Sequence, residues 1–399
     1  MREIGKWNLF LTQEVDMSIV GIDISSTSAT FCILGNTGVI AQDNFPLNKI
    51  GFNKLLATPG INKDSTFVME STGKYHLTCY HYLLNHNMTA YVVNPLLIKQ
   101  YKDTITLRKT KTDKSDALLI AGYANNPSIQ LEGRKIELET ESKLLSRDRL
   151  SNSEALAKAK TRLKGDIAVS FPELHSINVF TDSWLNLLSV YGSSKQVSSA
   201  SITQLAKAIR GTRVKSTERD KKLAKKAKEL AKDSVGVDLH AAITKHQAKT
   251  VLYLKKEDKE LTKALVDMEK EIHSQEMEII TSFPGISDTT AAHFMAEIQD
   301  IHRFSRYQKL IAFIGTDPTI YQSGNEDRHG RISKRGNKVL RKYCYLMASN
   351  SLRSNPVLAE YYSRKREQGF PHSKAMIATT NKLIRAIYAL LIRGEKASI

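Results

Sequence analysis

SIVGIDIS (18–25), TSATFCIL (27–34), VIAQDNF (39–45), STFVMEST (65–72) and AYVVNP (90–95) decide the fold of this chain. Each run is apolar, and most are rich in β-branched residues. Each is bounded by turn formers such as Gly35-Asn36-Thr37-Gly38, Gly73 or Pro95, so each reads as a strand. The intervening stretches carry helical patterns near 48–57, 75–87, 96–104 and 112–124. The resulting order is βββ-α-β-α-β-α. It predicts a mixed sheet in which three hairpin-connected strands come first and parallel crossovers follow.

That order is the one found in RNase H-like folds, and it gives an α/β unit over residues 17–135. Residues 1–16 read as an extension outside it. Within the unit, Asp23 falls toward the end of the first strand and Glu70 toward the end of the fourth. In this topology those two strands are neighbours, so the two carboxylates are expected side by side at one edge of the sheet. Asp113 and Asp116 lie in KTDKSDALL (111–119). Three residues apart on a helix, they share a face. Four clustered carboxylates would repel one another, and divalent cations relieve this. Mg2+ prefers hard oxygen ligands and leaves positions open for phosphate. Two such ions can stabilise both the attacking and the leaving oxygen at phosphorus. Taken singly, these acids also fit blander roles, such as a turn residue at a strand end or a negative charge at a helix start.

The chain has 399 residues and a net charge of +18. A surface that basic attracts polyanions, of which nucleic acid is the commonest. Residues 319–399 carry 16 Lys/Arg against 5 Asp/Glu, net +11, which favours a localised binding surface. Three cysteines, Cys32, Cys79 and Cys344, are too few and too scattered for a disulfide framework or a zinc site, and a reducing cytoplasm fits them best. No stretch is expected to span a membrane.

Residues 136–280 are rich in Lys, Glu, Ala and Leu. They predict long helices over 147–171, 217–234 and 240–283, arranged as a coiled-coil arm. The serine-rich 191–203 segment reads as a turn or linker. A second helical unit is expected over 281–399. Its most unusual segment is TDPTIYQSGNEDRHGRISKRGNKVLRKY (316–343). Ser323 precedes Gly324-Asn325 and is expected on a turn. Arg328, Arg331, Lys334, Arg335, Lys338, Arg341 and Lys342 surround it as candidate nucleic-acid contacts. Asn337 is a candidate N-cap for the following helix. The serine is either a nucleophile beside a phosphate-binding surface or part of a solvent loop. Tyr321 is a rival nucleophile, and His329 a further phosphate contact. SFPGISDTTAAHFMAEI (282–298) is compatible with a phosphate-binding hairpin.

Two motif blocks then resemble a known family. GIDIS, MESTGKYH, NP (94–95) and KTDKSDA are similar to the RuvC-like domain of the DEDD-type insertion-sequence transposases, the one-ten family. FPGI, the run from TAAHFMAEI to GTDP, YQSG and GRISKRGNKVLR are similar to that family's C-terminal transposase domain. TDPT stands where the family more often has a GLVP-like run. The resemblance implies a recombinase that excises and inserts its own mobile element. It implies magnesium on Asp23, Glu70, Asp113 and Asp116, and a covalent phosphoserine formed by Ser323. It also implies a structured non-coding guide RNA pairing with donor and target DNA, and assembly as a homodimer or tetramer through the helical arm. The competing expectation is a metal-dependent junction endonuclease that hydrolyses with water and needs no serine.

Overall fold

Five strands form where the alternation of the sequence places them. The computed structural model describes residues 18–71, 73–105, 112–131, 140–215, 217–323 and 326–397, with the side chains of 319–331 excepted. Residues 1–17, which include the expected extension, lie outside the described residues. The chain divides into two compact units, Met1–Leu138 and Glu139–Ile399.

In the first unit, β1 (Ile19–Ile24), β2 (Ser28–Gly35) and β3 (Gly38–Pro46) form an antiparallel meander. Helix α1 (Lys49–Leu56) leads to β4 (Thr66–Glu70), and α2 (His76–Asn85) leads to β5 (Thr89–Val93). Both β4 and β5 pair in parallel, giving the order β3-β2-β1-β4-β5. Helices α3 (Pro95–Ile105) and α4 (Asp113–Ala124) complete the unit. The sheet is covered on both faces. Val20, Ile22, Ile24, Phe67, Met69 and Val92 share one core with Phe52 of α1 and Leu83 of α2. Val68 and Val93 share the other with Ile98 of α3 and Ile120 of α4. This strict alternation is the period-two rule of a strand buried on both sides.

Among the described residues, the second unit is helical apart from one hairpin. Helix α5 (Glu141–Ser170) begins six residues before its expected start, because the Thr140 side chain caps Lys143 N. Four shorter helices follow: α6 (Asp182–Val190), α7 (Ser194–Ser199), α8 (Ile202–Arg210) and α9 (Glu218–Lys232). The expected linker at 191–203 is therefore helical. Its serines act as caps, Ser193 accepting from Gln196 N and Ser201 from Gln204 N. The single helix expected over 240–283 is two, α10 (Ala241–Ile272) and α11 (Ser274–Thr281). His273 breaks it with φ −127° and ψ 48°, and the break turns Met277, Ile279 and Ile280 into the C-terminal core.

Helices α12 (Asp288–Ile298) and α13 (Tyr307–Ile314) precede the antiparallel hairpin β6 (Pro318–Ser323) and β7 (Glu326–Ile332). Then come α14 (Lys338–Ser351), α15 (Pro356–Glu367) and α16 (His372–Arg393). Contrary to the expectation that no stretch reaches membrane-spanning character, α16 is long and apolar enough by length and composition. Its Met376, Leu383, Ile384, Ile387 and Leu391, however, sit in the C-terminal core.

Helices α5 and α10 run antiparallel. Arg149 meets Asp258, Asn152 meets Leu254 and Ser170 meets Thr244. The pair joins two cores. Leu156, Leu163 and Ile167 of α5 pack with Ala248 and Val251 of α10 and with α6–α9, forming a helical head. At the other end, Leu145 and Leu265 pack with α11–α16.

Candidate functional site

The carboxylates are positioned by the sheet. Ile22 registers with Met69 across the parallel β1–β4 ladder, and Asp23 and Glu70 are the next residue on each strand. Alternation turns both away from the core that holds Ile22 and Met69 and toward the face covered by α3 and α4. Gly21, two residues before Asp23 on that same face, explains how α4 comes so near. A Cβ there would lie 2.3 Å from Ala121 N and 2.4 Å from Ala117 O, so only glycine lets the helix backbone rest on the strand. Gln42 Nε2 also donates to Lys114 O at 2.6 Å, tying the first turn of α4 to β3.

The start of α4 is fixed by a reciprocal cap. Thr112 accepts from Ser115 N, and Ser115 Oγ accepts from Thr112 N. This puts Asp113 and Asp116 in or beside the first turn, where a negative charge also suits the helix dipole. Asp113 is exposed, while Asp23 and Glu70 are half-buried. Asp116 pairs with Lys102 Nζ of α3 at 3.7 Å. Asp23 and Glu70 therefore lie on the sheet face that α4 covers, and Asp113 and Asp116 lie in the first turn of that helix. Their oxygen donors fit a hard divalent cation in kind. As they stand they do not close around one: among the described residues no group of three or more His, Cys, Asp or Glu is arranged to hold a metal ion.

In the helical unit, Ser323 ends β6 and registers with Glu326 across the hairpin. The side chains of Tyr321, Ser323, Arg328, His329 and Arg331 lie outside the described residues. Beyond the hairpin, Lys334 has φ +54° and Asn337 caps α14, accepting from Val339 N and Leu340 N at 3.0 Å. Lys334, Arg335, Lys338 and Lys342 are exposed. Arg341 differs, because its Nη1 donates to Ile314 O at 2.9 Å and so ties α14 to α13. The glycine of the expected phosphate-binding hairpin is also engaged in packing. A Cβ on Gly285 would lie 2.7 Å from Ser351 Cα, so the turn is seated against α14.

Sequence reasoning missed what α5 contributes. Lys143 and Arg147 line a cleft of about 500 Å3 together with Arg335, Asn337 and Lys338. Behind it lies a polar network on α12. Glu297 is fully buried and accepts from Arg147 Nε at 3.4 Å and from Asn337 Nδ2 at 2.5 Å. Ser146 Oγ bridges Glu297 Oε1 at 3.5 Å and His293 Nδ1 at 2.8 Å. The His293 ring stacks on Tyr343 at 3.6 Å, and Arg149 Nη1 approaches both His293 Nε2 and the Tyr343 hydroxyl. Burial first, then the Arg149 and Lys342 charges, push the His293 pKa down to about 3, so the ring is neutral. With Nε2 facing the Arg149 donor, Nδ1 carries the proton and donates to Ser146. The overlooked signal was a His and a Glu four apart inside the otherwise apolar AAHFMAEI. All three cysteines are buried and free, and burial raises their thiol pKa values, so none has the character of a nucleophile.

Comparison with known proteins bears on both regions. Residues 20–172 match the DEDD-type IS110 model described as Transposase, and residues 277–363 match the Transposase IS116/IS110/IS902 family. Among curated relatives, the transposase for insertion sequence element IS1111A of Coxiella burnetii is 24% identical over 95% of this chain and 91% of its own length. The pilin gene-inverting protein of Moraxella bovis is 22% identical over 93% and 95% respectively. An IS900 insertion-element protein of Mycobacterium paratuberculosis is 30% identical over 39% of each chain. The acid-bearing sheet and the region around the hairpin are the parts the two family models recognise. The chain belongs to the DEDD-type IS110 family of transposases, enzymes that act on DNA.

Proposed function

We propose that this transposase cuts and rejoins DNA through a covalent phosphoserine at Ser323, with Asp23, Glu70, Asp113 and Asp116 holding divalent ions, taken as Mg2+. The observation that carries this reading is the alternation that turns Asp23 and Glu70 toward the helix bearing Asp113 and Asp116. A bound cation supplies charge neutralisation at the phosphate oxygens. Ser323 Oγ bonds to a DNA phosphorus, the P–O bond to the departing strand breaks, and the hydroxyl proton passes to the departing oxygen. One phosphoester replaces another, so a second DNA hydroxyl can reverse the step and complete strand exchange.

The basic segment supports the same reading. Lys334, Arg335, Lys338 and Lys342 are exposed, and Lys143 and Arg147 join two of them around one cleft. Arg328 and Arg331 extend the basic run along β7. These residues hold the phosphate backbone and do not read bases. Sequence choice then falls to a structured guide RNA pairing with donor and target DNA, and protein recognition of such pairings is through backbone shape. The α5–α10 pair serves as the arm through which protomers assemble as dimers or tetramers in the prokaryotic cytoplasm.

Trapping tests this. Protein incubated with labelled DNA, Mg2+ and the element's RNA is expected to give a denaturation-resistant adduct that Ser323→Ala abolishes. Asp23→Ala is expected to lower cleavage about a thousandfold. Full strand transfer by Ser323→Ala would replace this mechanism with metal-dependent hydrolysis by water.

A further inference from the structure

The charge of this chain has a second focus. Residues 203–232 hold eleven Lys/Arg against three Asp/Glu, net +8. With the net +11 of residues 319–399, they account for the whole excess of +18, and the rest of the chain is close to neutral. These residues form α8, α9 and their connection in the helical head. The head is joined to the serine-bearing region by α5, which at 30 residues is about 45 Å long. The second focus is therefore far from the hairpin.

The cations here are organised. Helix α9 buries Ala224, Ala227 and Ala231, small residues that let it lie close on its neighbours. Its other side exposes Arg219, Lys221, Lys222, Lys225, Lys226 and Lys232. Between α8 and α9 lies a cleft of about 400 Å3 lined by Lys207, Arg210 and Lys221, with Ile202, Thr203 and Ala206. Arg210 Nη1 donates to Val214 O at 3.2 Å, but its Nε–H is buried without an acceptor. An orphaned buried donor is rare, and an anion or water that completes it is the usual explanation. The nearby acids offer little competition. Asp220 is taken by Arg213 and by Thr217 N. The Lys221–Glu218 pair is exposed on both sides, and such pairs separate readily.

We propose that α8 and α9 form a second DNA-binding surface, on which one backbone phosphate of duplex DNA seats between Lys207, Arg210 and Lys221 and its neighbours follow the lysine side of α9. Three features select this partner. The family's substrate is DNA. Residues 203–232 contain no Phe, Tyr, Trp or His, so the stacking platforms that hold single strands are missing. The apolar side of α9 is buried in the head, so it cannot insert into a lipid surface as an amphipathic membrane helix does. Lysine dominates, which suits contact with phosphate rather than with base edges.

Fluorescence anisotropy of the full-length protein on an arbitrary duplex of about 30 base pairs, over a salt series, tests this. Lys207→Gln/Arg210→Gln/Lys221→Gln is expected to weaken binding about tenfold and to flatten the slope of log affinity against log salt by about 2 to 3. Lys222→Gln/Lys225→Gln/Lys226→Gln alters only exposed side chains and is expected to act in the same direction, so the test survives misfolding of the first variant. Unchanged slopes in both would overturn the proposal. So would loss of binding confined to a hairpin RNA or a single-stranded probe, which would assign the surface to those partners. Lys338→Gln/Lys342→Gln run in parallel isolates the α14 surface. A loss there with none in the head variants refutes the head alone.

Discussion

The acid-bearing sheet face and the polar network on α12 solve the same problem in opposite ways. On the sheet, the carboxylates come from two strands and the start of one helix, placed by Gly21 under α4, Thr112 and Ser115 at its start and Lys102 beside Asp116. The acids stay half-buried or exposed and can change partners. On α12, Glu297 and His293 are fully buried, and their partners come from α5 and from the N-cap of α14. One region keeps its acids within reach of solvent. The other uses its charges to fix where Asn337, and with it the start of the lysine-bearing helix, must sit. Burial separates the two: the acids of the sheet face reach solvent, whereas Glu297 and His293 are sealed inside a hydrogen-bonded network.

The contrast can be broken most forcefully at Glu297. Glu297→Ala strands Asn337 Nδ2, takes the acceptor from the Ser146 hydroxyl and removes one partner of Arg147, which is 41% exposed. A stability loss of about 3 kcal/mol is expected from thermal or denaturant unfolding; a loss below about 1 kcal/mol would deny the network its structural role. Gly21→Ala comes next. The added methyl must push α4 off β1, at a cost of about 2 kcal/mol. Cleavage should fall further than stability explains, because Asp113 and Asp116 move with the helix. Normal activity in a folded Gly21→Ala would separate α4 placement from catalysis.

The smallest effect concerns pH. His293 has its pKa depressed to about 3 from the ordinary histidine value of 6.5, so its contribution is complete above about pH 6.5 and is lost as pH falls toward 3. The slope approaches about 1.4 kcal/mol per pH unit within that window. His273 works the other way, its pKa raised by hydrogen bonding to Glu269. The measurement is therefore the difference in unfolding free energy between wild type and His293→Gln from pH 7 to 5. Parallel curves would mean that the His293 ring titrates in the fold as it does in the unfolded chain, and so overturn the depressed pKa.

The sheet was legible because its signals are local. Apolar runs, β-branching and turn residues within windows of ten residues gave all five strands, and the neighbouring of β1 and β4 followed from their order. Asn337 as a cap was legible for the same reason. The helical head was not, because its signal is tertiary: serines that look like a linker at 191–203 become caps only once Val197, Leu205 and Ile209 have a core to enter. The break at His273 was also hidden. No Pro or Gly marks it, and its cause is the direction in which Met277 and Ile280 must point. Lys143 and Arg147 were out of reach for a sequence reading, since nearly two hundred residues separate them from Arg335 and Lys338.

One helix belongs to two cores. The first turns of α5 are held by α12 and the C-terminal helices, and its last turns by the head. Neither core can be completed while that helix is unformed, so the two ends share a single melting event. Under native conditions, hydrogen exchange should find the slowest amides of Leu163 and of Met295 opening together. This shared fate makes the helix a lever: tension applied at the head is borne by backbone hydrogen bonds along α5 and reaches the C-terminal core with little slack.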